Sequence, residues 1–149
     1  MEMKFRNALA SDKEAVRKLL GDVKLPTESV DTGTTIFYIA TEQSDVVGIA
    51  GFEFYGDDVL LRSVAVRPAL QSRGVGSRIV DHMLAVAKQR NIRRIVLLTE
   101  TAQKFFERKG FKVIDRSSVT NERMLLSTEF TVACPTSAVC MVLNLEAEK

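Results

Sequence analysis

Apolar residues recur at two different periods along this chain, and the switches between them mark its elements. Lys4-Phe5-Arg6-Asn7-Ala8 alternates weakly, which suits a short first strand. Ser11 or Asp12 then stands where a helix cap belongs. Ala15, Val16, Leu19 and Leu20 follow with three-to-four spacing, and Gly21 marks the helix end. Pro26-Thr27-Glu28-Ser29-Val30 predicts a further helical turn, since proline suits the first helical position. Three β-branched and aromatic runs come next, Ile36 to Thr41, Val46 to Tyr55 and Val59 to Val66. The turns between them, Gln43-Ser44-Asp45 and Gly56-Asp57-Asp58, are too short for a parallel crossover, so the runs are predicted to form antiparallel hairpins.

The period then lengthens. Gln71 to Arg90 reads as a helix whose apolar stripe is Ile79, Val80, Met83, Leu84 and Ala87, with Arg78, Asp81, His82, Ala85 and Lys88 opposite. Ile95-Val96-Leu97-Leu98 is wholly apolar and fits a central strand buried on both faces. A shorter helix, Ala102 to Lys109, ends at Gly110. Beyond Phe111-Lys112-Val113-Ile114 lie a polar stretch, a helical turn near Glu122 to Leu126 and a last strand at Ala138 to Leu145. The expected fold class is α/β (α+β), a central mixed, mostly antiparallel sheet flanked by helices. One crossover joins the strand ending at Val66 to the one at Ile95, and it is expected to be parallel and right-handed.

Composition narrows the function classes. At 149 residues the chain fits a single domain, residues 1–149, and its 46% apolar and 27% charged residues are an ordinary globular balance. A net charge of +2 with scattered basic residues argues against nucleic acid. Arg90, Arg93 and Arg94 form the one cluster, at a predicted helix end where cations complement the dipole. No run approaches the roughly 18 apolar residues of a membrane span, and Met1-Glu2-Met3-Lys4 lacks a signal core. A cytoplasmic protein without membrane contact is expected. Cys134 and Cys140 are too few for a disulfide scaffold and lack the neighbours of a zinc site, so reduced thiols and no metal are expected.

The candidate chemistry lies between the third run and the long helix. A strand stops at Pro68, the chain turns, and Gln71-Ser72-Arg73-Gly74-Val75-Gly76-Ser77 opens a helix with two glycines in its first turn. Glycine in a helix costs about 1 kcal/mol relative to alanine, so the pair asks for a reason. Close approach of an anion to helix N-terminal N–H groups supplies one, and Arg73 adds a cation. A P-loop would need Gly-Lys-Ser/Thr, and a dinucleotide fingerprint would need glycine where Ile79 stands.

Gln71-Ser72-Arg73-Gly74-Val75-Gly76 resembles the acetyl-CoA signature of the GNAT acetyltransferases, Gln/Arg-x-x-Gly-x-Gly/Ala. Ala102-Gln103-Lys104-Phe105-Phe106-Glu107-Arg108-Lys109-Gly110-Phe111 resembles the family's second landmark, Ala-x-x-Phe-Tyr-x-x-x-Gly-Phe. Ser127-Thr128-Glu129-Phe130 and Cys134-Pro135-Thr136-Ser137-Ala138-Val139-Cys140-Met141 resemble GNAT proteins found beside arsenic-resistance genes, often described as amino-acid-type N-acetyltransferases.

The resemblance implies the GNAT acyl-CoA N-acyltransferase fold and direct acetyl transfer from acetyl-CoA to a small, amino-acid-like amine. In its terms Val64 and Val66 bond the pantetheine arm, and the N–H groups from Arg73 to Ser77 hold the pyrophosphate. A main-chain N–H at Val64 or Ala65 faces the oxyanion, a donor worth roughly 3–4 kcal/mol. Phe106 replaces the family's tyrosine and cannot protonate the departing thiolate. The strand positions Leu60, Arg62 and Ser63 offer no carboxylate, which leaves Glu53 and Glu100 as candidate bases; each also fits an ordinary surface acid. Arg62 is a candidate carboxylate holder, or else a partner for Glu53 across the hairpin. His82 lies on the polar helix face, and Cys134 has no histidine to activate it. Two rival functions remain, a protein or peptide amine acetyltransferase and a non-catalytic acyl-CoA-binding module. Family habit suggests dimerisation through the C-terminal strand. The acceptor pocket is expected in the loops Leu25 to Thr35 and Arg116 to Cys134.

Overall fold

The computed structural model describes residues 2–133 and 137–145. Seven strands, β1 (Lys4–Asn7), β2 (Ile36–Glu42), β3 (Asp45–Tyr55), β4 (Asp58–Val66), β5 (Arg94–Thr99), β6 (Lys112–Ile114) and β7 (Val139–Asn144), form one sheet in the order β1-β2-β3-β4-β5-β7-β6. Four α-helices accompany them: α1 (Lys13–Asp22), α2 (Val75–Gln89), α3 (Gln103–Arg108) and α4 (Glu122–Leu125). The chain divides into two compact units. One comprises the chain up to Glu53 with Ser63–Val86, and the other Phe54–Arg62 with the chain from Ala87 onward.

In the first unit β1 and β3 both run antiparallel to β2, with Phe5 opposite Ala40 and Phe37 opposite Gly51. The β2–β3 turn is a two-residue hairpin with Gln43 at φ 52° and Ser44 at φ 72°, the positive dihedrals that match strand twist. Val16, Leu19 and Leu20 of α1 pack with Val30, Phe37, Ile39, Ile49 and Ala65. Ala15, predicted for that stripe, is exposed. Gly21 does not end α1: the helix continues to Asp22, and Lys24 takes the left-handed position at φ 62°. Asp12 does not cap the helix with its side chain either. Its carboxylate pairs with Arg6 and also accepts from the Leu9 N–H at 2.7 Å, and those bonds, the Arg6 one foremost, hold it below the usual carboxylate range. Residues Glu28–Val30 form the expected short turn, as a 3-10 helix.

Along α2, Ile79, Val80, Met83 and Ala87 are buried as predicted, while Leu84 is only half-buried. Gly48 sets how closely α2 approaches β3, because a Cβ there would run into Ile79 Cδ1 and sit 3.1 Å from Ala65 O. His82 is not a solvated polar-face residue. It stacks on Phe5 at 4.3 Å and meets Tyr38 edge-on, and burial lowers its pKa.

The second unit is built around β5, whose Ile95, Val96, Leu97 and Leu98 are all buried. It is parallel to β4 with Leu60 opposite Val96, as the crossover demands, and antiparallel to β7 with Leu98 opposite Cys140. Leu60, Val96, Leu98, Val119, Met124, Phe130, Ala138 and Cys140 make its core. Of the Arg90, Arg93 and Arg94 cluster, Arg90 follows directly on the end of α2, while Arg93 and Arg94 lie beyond it beside carboxylates. Arg90 lies 4.7 Å over the Phe54 ring, Arg93 approaches Asp57, and Arg94 pairs with Asp58 at 2.8 Å. β7 lies between β5 and β6, and β6 pairs with it only at Cys140, Met141 and Val142. The sheet's edges are β1 and β6.

Candidate active site

The turn between β4 and α2 is built by fixed dihedrals. The Arg67 N–H donates to Val47 O at 3.0 Å, Pro68–Leu70 forms a 3-10 turn, and Gln71 is extended at φ −65°, ψ 152°. Ser72 and Gly74 then take positive φ, 68° and 84°. Two left-handed residues cannot belong to a right-handed helix, so α2 begins at Val75, four residues later than the sequence predicts. Gly74 therefore precedes the helix and serves its dihedral, and only Gly76 lies in the first turn.

The first i→i−4 bond of α2 runs from the Arg78 N–H to Gly74 O at 3.1 Å. The N–H groups of Val75 and Gly76 come before it, have no acceptor within the helix and sit at its positive end. A Cβ on Gly74 would meet nothing within 4 Å, and one on Gly76 only Val66 Cγ2 at 3.6 Å. Internal crowding thus explains neither glycine. A mid-turn glycine that costs about 1 kcal/mol and frees no packing space fits a backbone left bare for a ligand. Ser72, Arg73 and Gly74 are exposed there, so the segment suits the diphosphate of CoA.

Gln71 contributes locally. Its Nε2 donates to the Val66 carbonyl at 3.2 Å, an exposed bond, so one backbone group of a residue expected to meet the pantetheine arm already holds a side-chain donor. Val64 and Val66 are half-buried and Ala65 is buried. Just before them, Ser63 has φ 59° in mid-strand, an irregularity of the kind that re-aims side chains beside active sites. Nothing in the sequence announced it.

The two candidate bases differ sharply in setting. Glu53, on β3, is 2% exposed, and Thr35 Oγ1 donates to its Oε2 at 2.6 Å. The surface-acid reading of Glu53 is therefore wrong. Glu100 is exposed in the bend after β5, where that reading applies. Within the predicted acceptor loop, Ser29 Oγ is buried and makes no hydrogen bond among the described residues.

In the second unit Arg62 is buried with a carboxylate beside it. Its Nη2 lies 3.3 Å from Glu129 Oε1, and its Nη1 donates to Thr128 Oγ1 at 3.2 Å. Both partners flank the start of a π-helical turn, Glu129–Ala133, which sequence periodicity did not reveal. Phe106 is buried edge-on against Phe105 and Phe111, a hydrocarbon setting with no proton to give. Cys140 is a buried core thiol pushed up to about 11 by burial, while Cys134 falls outside the described residues. Among the described residues no group of histidine, cysteine and carboxylate side chains could hold a metal, and no helix is long and apolar enough to cross a membrane.

Comparison with known proteins identifies the family and the fold. The family described as "Acetyltransferase (GNAT) domain" matches residues 33–113. A curated amino-acid acetyltransferase of Mycobacterium tuberculosis is 34% identical over 128 residues, 78% of this chain and 72% of that protein. The crystal structure of Rv2747 from the same organism, in complex with CoA and NLQ, superposes with a TM-score of 0.77 at 28% identity, covering 95% of this chain and 99% of that one. The N-acetylglutamate synthase of Neisseria gonorrhoeae, complexed with coenzyme A and N-acetyl-glutamate, shares the fold at TM-score 0.80 and 18% identity. That alignment covers 97% of this chain and 35% of that one. The chain belongs to the GNAT acetyltransferase family and is an N-acetyltransferase with acetyl-CoA as its co-substrate.

Proposed function

We propose that the acceptor is the amine of a small, amino-acid-like molecule, acetylated by direct transfer in a ternary complex. The supporting observation is Arg62, a buried guanidinium two residues before Val64, in a chain 34% identical to an amino-acid acetyltransferase. Its fork of donors suits a carboxylate, and Glu129 marks the position such a group would share.

Val75, Gly76 and the neighbouring loop N–H groups, with Arg73, hold the diphosphate; Val64 and Val66 align the arm. Acetyl-CoA supplies an activated thioester. Glu53, buried and hydrogen-bonded, takes a proton from the acceptor's ammonium group, so that the neutral nitrogen forms the new C–N bond. As the C–S bond breaks, its electron pair leaves with the CoA sulfur, and the nitrogen's surplus proton passes to that sulfur through solvent. Phe106 takes no part in that transfer, and a thiol with a pKa near 8.5 leaves without an acid. A covalent relay through Cys140 is disfavoured because its thiol is held protonated in the core. The same reading takes the whole chain as one GNAT domain acting in the cytoplasm.

The test is acetyl-CoA consumption against amino acids, their phosphinic and arsonic analogues, polyamines, aminoglycosides and lysine peptides, with products identified by mass spectrometry. Acetylation of an amino acid or analogue is expected. Acetylated lysine peptides with inert amino acids would replace this reading with the protein-directed one. CoA binding with no product anywhere would make the chain a non-catalytic module.

A further inference from the structure

Glu53 has a hydrogen-bond donor that the scheme above does not use. Thr35 immediately precedes the Ile36↔Phe52 pair of the β2–β3 ladder, which places it across from Glu53. Both side chains are buried, at 9% and 2% exposure, and the Oγ1–Oε2 distance of 2.6 Å is that of a hydroxyl on a carboxylate. Thr35 ends a hydroxyl-rich turn in which Thr32 Oγ1 donates to Ser29 O at 3.2 Å and lies 3.0 Å from Thr34 Oγ1. The donor thus sits at the junction of a bonded turn and a paired strand, where its backbone is fixed.

A general base acts only within about 2.6–3.2 Å of the proton it removes, directly or through one water. Glutamate has three side-chain torsions and reaches that geometry reliably only when something holds its carboxylate. Displacements of about 1 Å can cost roughly 100-fold in rate.

We propose that Thr35 is the positioning residue of the catalytic base: its hydroxyl holds Glu53 Oε2, so that the carboxylate meets the acceptor's ammonium group in one orientation. This rests on Glu53 being the base. Thr35 touches neither substrate in this scheme. It matters to the chemical step and not to the diphosphate loop.

The experiment is a kinetic double-mutant cycle on the full chain, with the best amino acid from the acceptor panel and CoA affinity measured separately by calorimetry. Thr35→Val, which keeps the shape and removes the hydroxyl, is expected to lower kcat at least tenfold with CoA affinity unchanged. Thr35→Ser, which restores the donor, should stay within about threefold of the parent. In a Glu53→Gln background, Thr35→Val should cost nothing further, because the group it positions is gone. Unchanged kcat in Thr35→Val beside a large loss in Glu53→Gln would overturn the positioning role and leave the base in place. Full activity in Glu53→Gln, or no amino acid turned over at all, would remove the base reading and this inference with it. A Thr35→Val loss that persists in the Glu53→Gln background, or that serine fails to rescue, would overturn it as a packing effect.

Discussion

Gly74 separates two demands that a loop glycine can serve, dihedral freedom and tolerance of a charged ligand. At φ 84° a side chain is strained in the left-handed region, yet a Cβ there meets nothing within 4 Å. Asparagine is among the residues most at ease in that region, so Gly74→Asn should cost at most about 1 kcal/mol of stability. Gly74→Asp has nearly the same shape and adds one negative charge beside the diphosphate. At a separation of about 6 Å and an effective dielectric of about 20, each pair of unit charges repels by roughly 3 kcal/mol. With about 1.4 kcal/mol per decade, Gly74→Asp should bind CoA at least ~100-fold more weakly than Gly74→Asn at low salt. Calorimetric titration of both variants at low and high ionic strength reads this out, and the gap should narrow as salt screens the charges. Equal affinity of the two variants, or a gap indifferent to salt, would refute the assignment of this loop to the diphosphate.

Four further outcomes follow from the geometry. Gly76→Ala should raise thermal stability by about 1 kcal/mol, since its Cβ makes only an ordinary 3.6 Å contact with Val66, while CoA affinity falls as the bare backbone is covered. Gly48→Ala should destabilise by about 1–3 kcal/mol through overlap with Ile79, and Ile79→Val in the same chain should recover part of that in denaturant melts. Burial lowers the pKa of His82 below 6.5, so below that pH the unfolded chain takes up the proton more readily than the folded one; stability should fall as pH drops through about 6.5, and His82→Gln should flatten the fall. Arg62→Ala, which strips the buried Glu129 carboxylate of its guanidinium, should cost about 3–5 kcal/mol, and Arg62→Met with Glu129→Leu should regain most of it in thermal melts.

The strands were legible because their periodicity is decided by burial. β5 reads as an unbroken apolar run since both its faces are covered, and the β2 and β3 boundaries shift by a single residue. The start of α2 was misplaced because Gln71 to Gly74 is polar and carries no apolar stripe to mark where the helix begins, while the chain path there is set by two positive dihedrals that no side-chain pattern encodes. Glycine announces one of them and serine conceals the other. The candidate site divides the same way. A motif that must leave backbone exposed is visible in its glycines, so the diphosphate loop could be found. Glu53 and Glu100 looked equivalent, because their difference lies in a cross-strand neighbour, Thr35, that only the register supplies. Arg62 was read as a partner for Glu53 or for a substrate. A carboxylate that neither reading named, Glu129, lies beside it from 67 positions further along the sequence, in a π-helical turn that has no periodic signature.

Ser63 connects these points. A serine at φ 59° inside a strand is strained by roughly 1–3 kcal/mol and persists only where its surroundings over-determine it. On one side of it Leu60, Leu61 and Arg62 are buried in succession, as in a strand covered on both faces. On the other, Val64, Ala65 and Val66 alternate between half-buried and buried. The irregularity falls where the strand changes from a core element into one with a partly uncovered face. The residues proposed to meet the pantetheine arm are the first ones after it. We read this strain as favouring the cofactor's approach to Val64 and Val66. It could not be recovered from hydrophobic pattern alone, because aliphatic residues stand on both sides of the break.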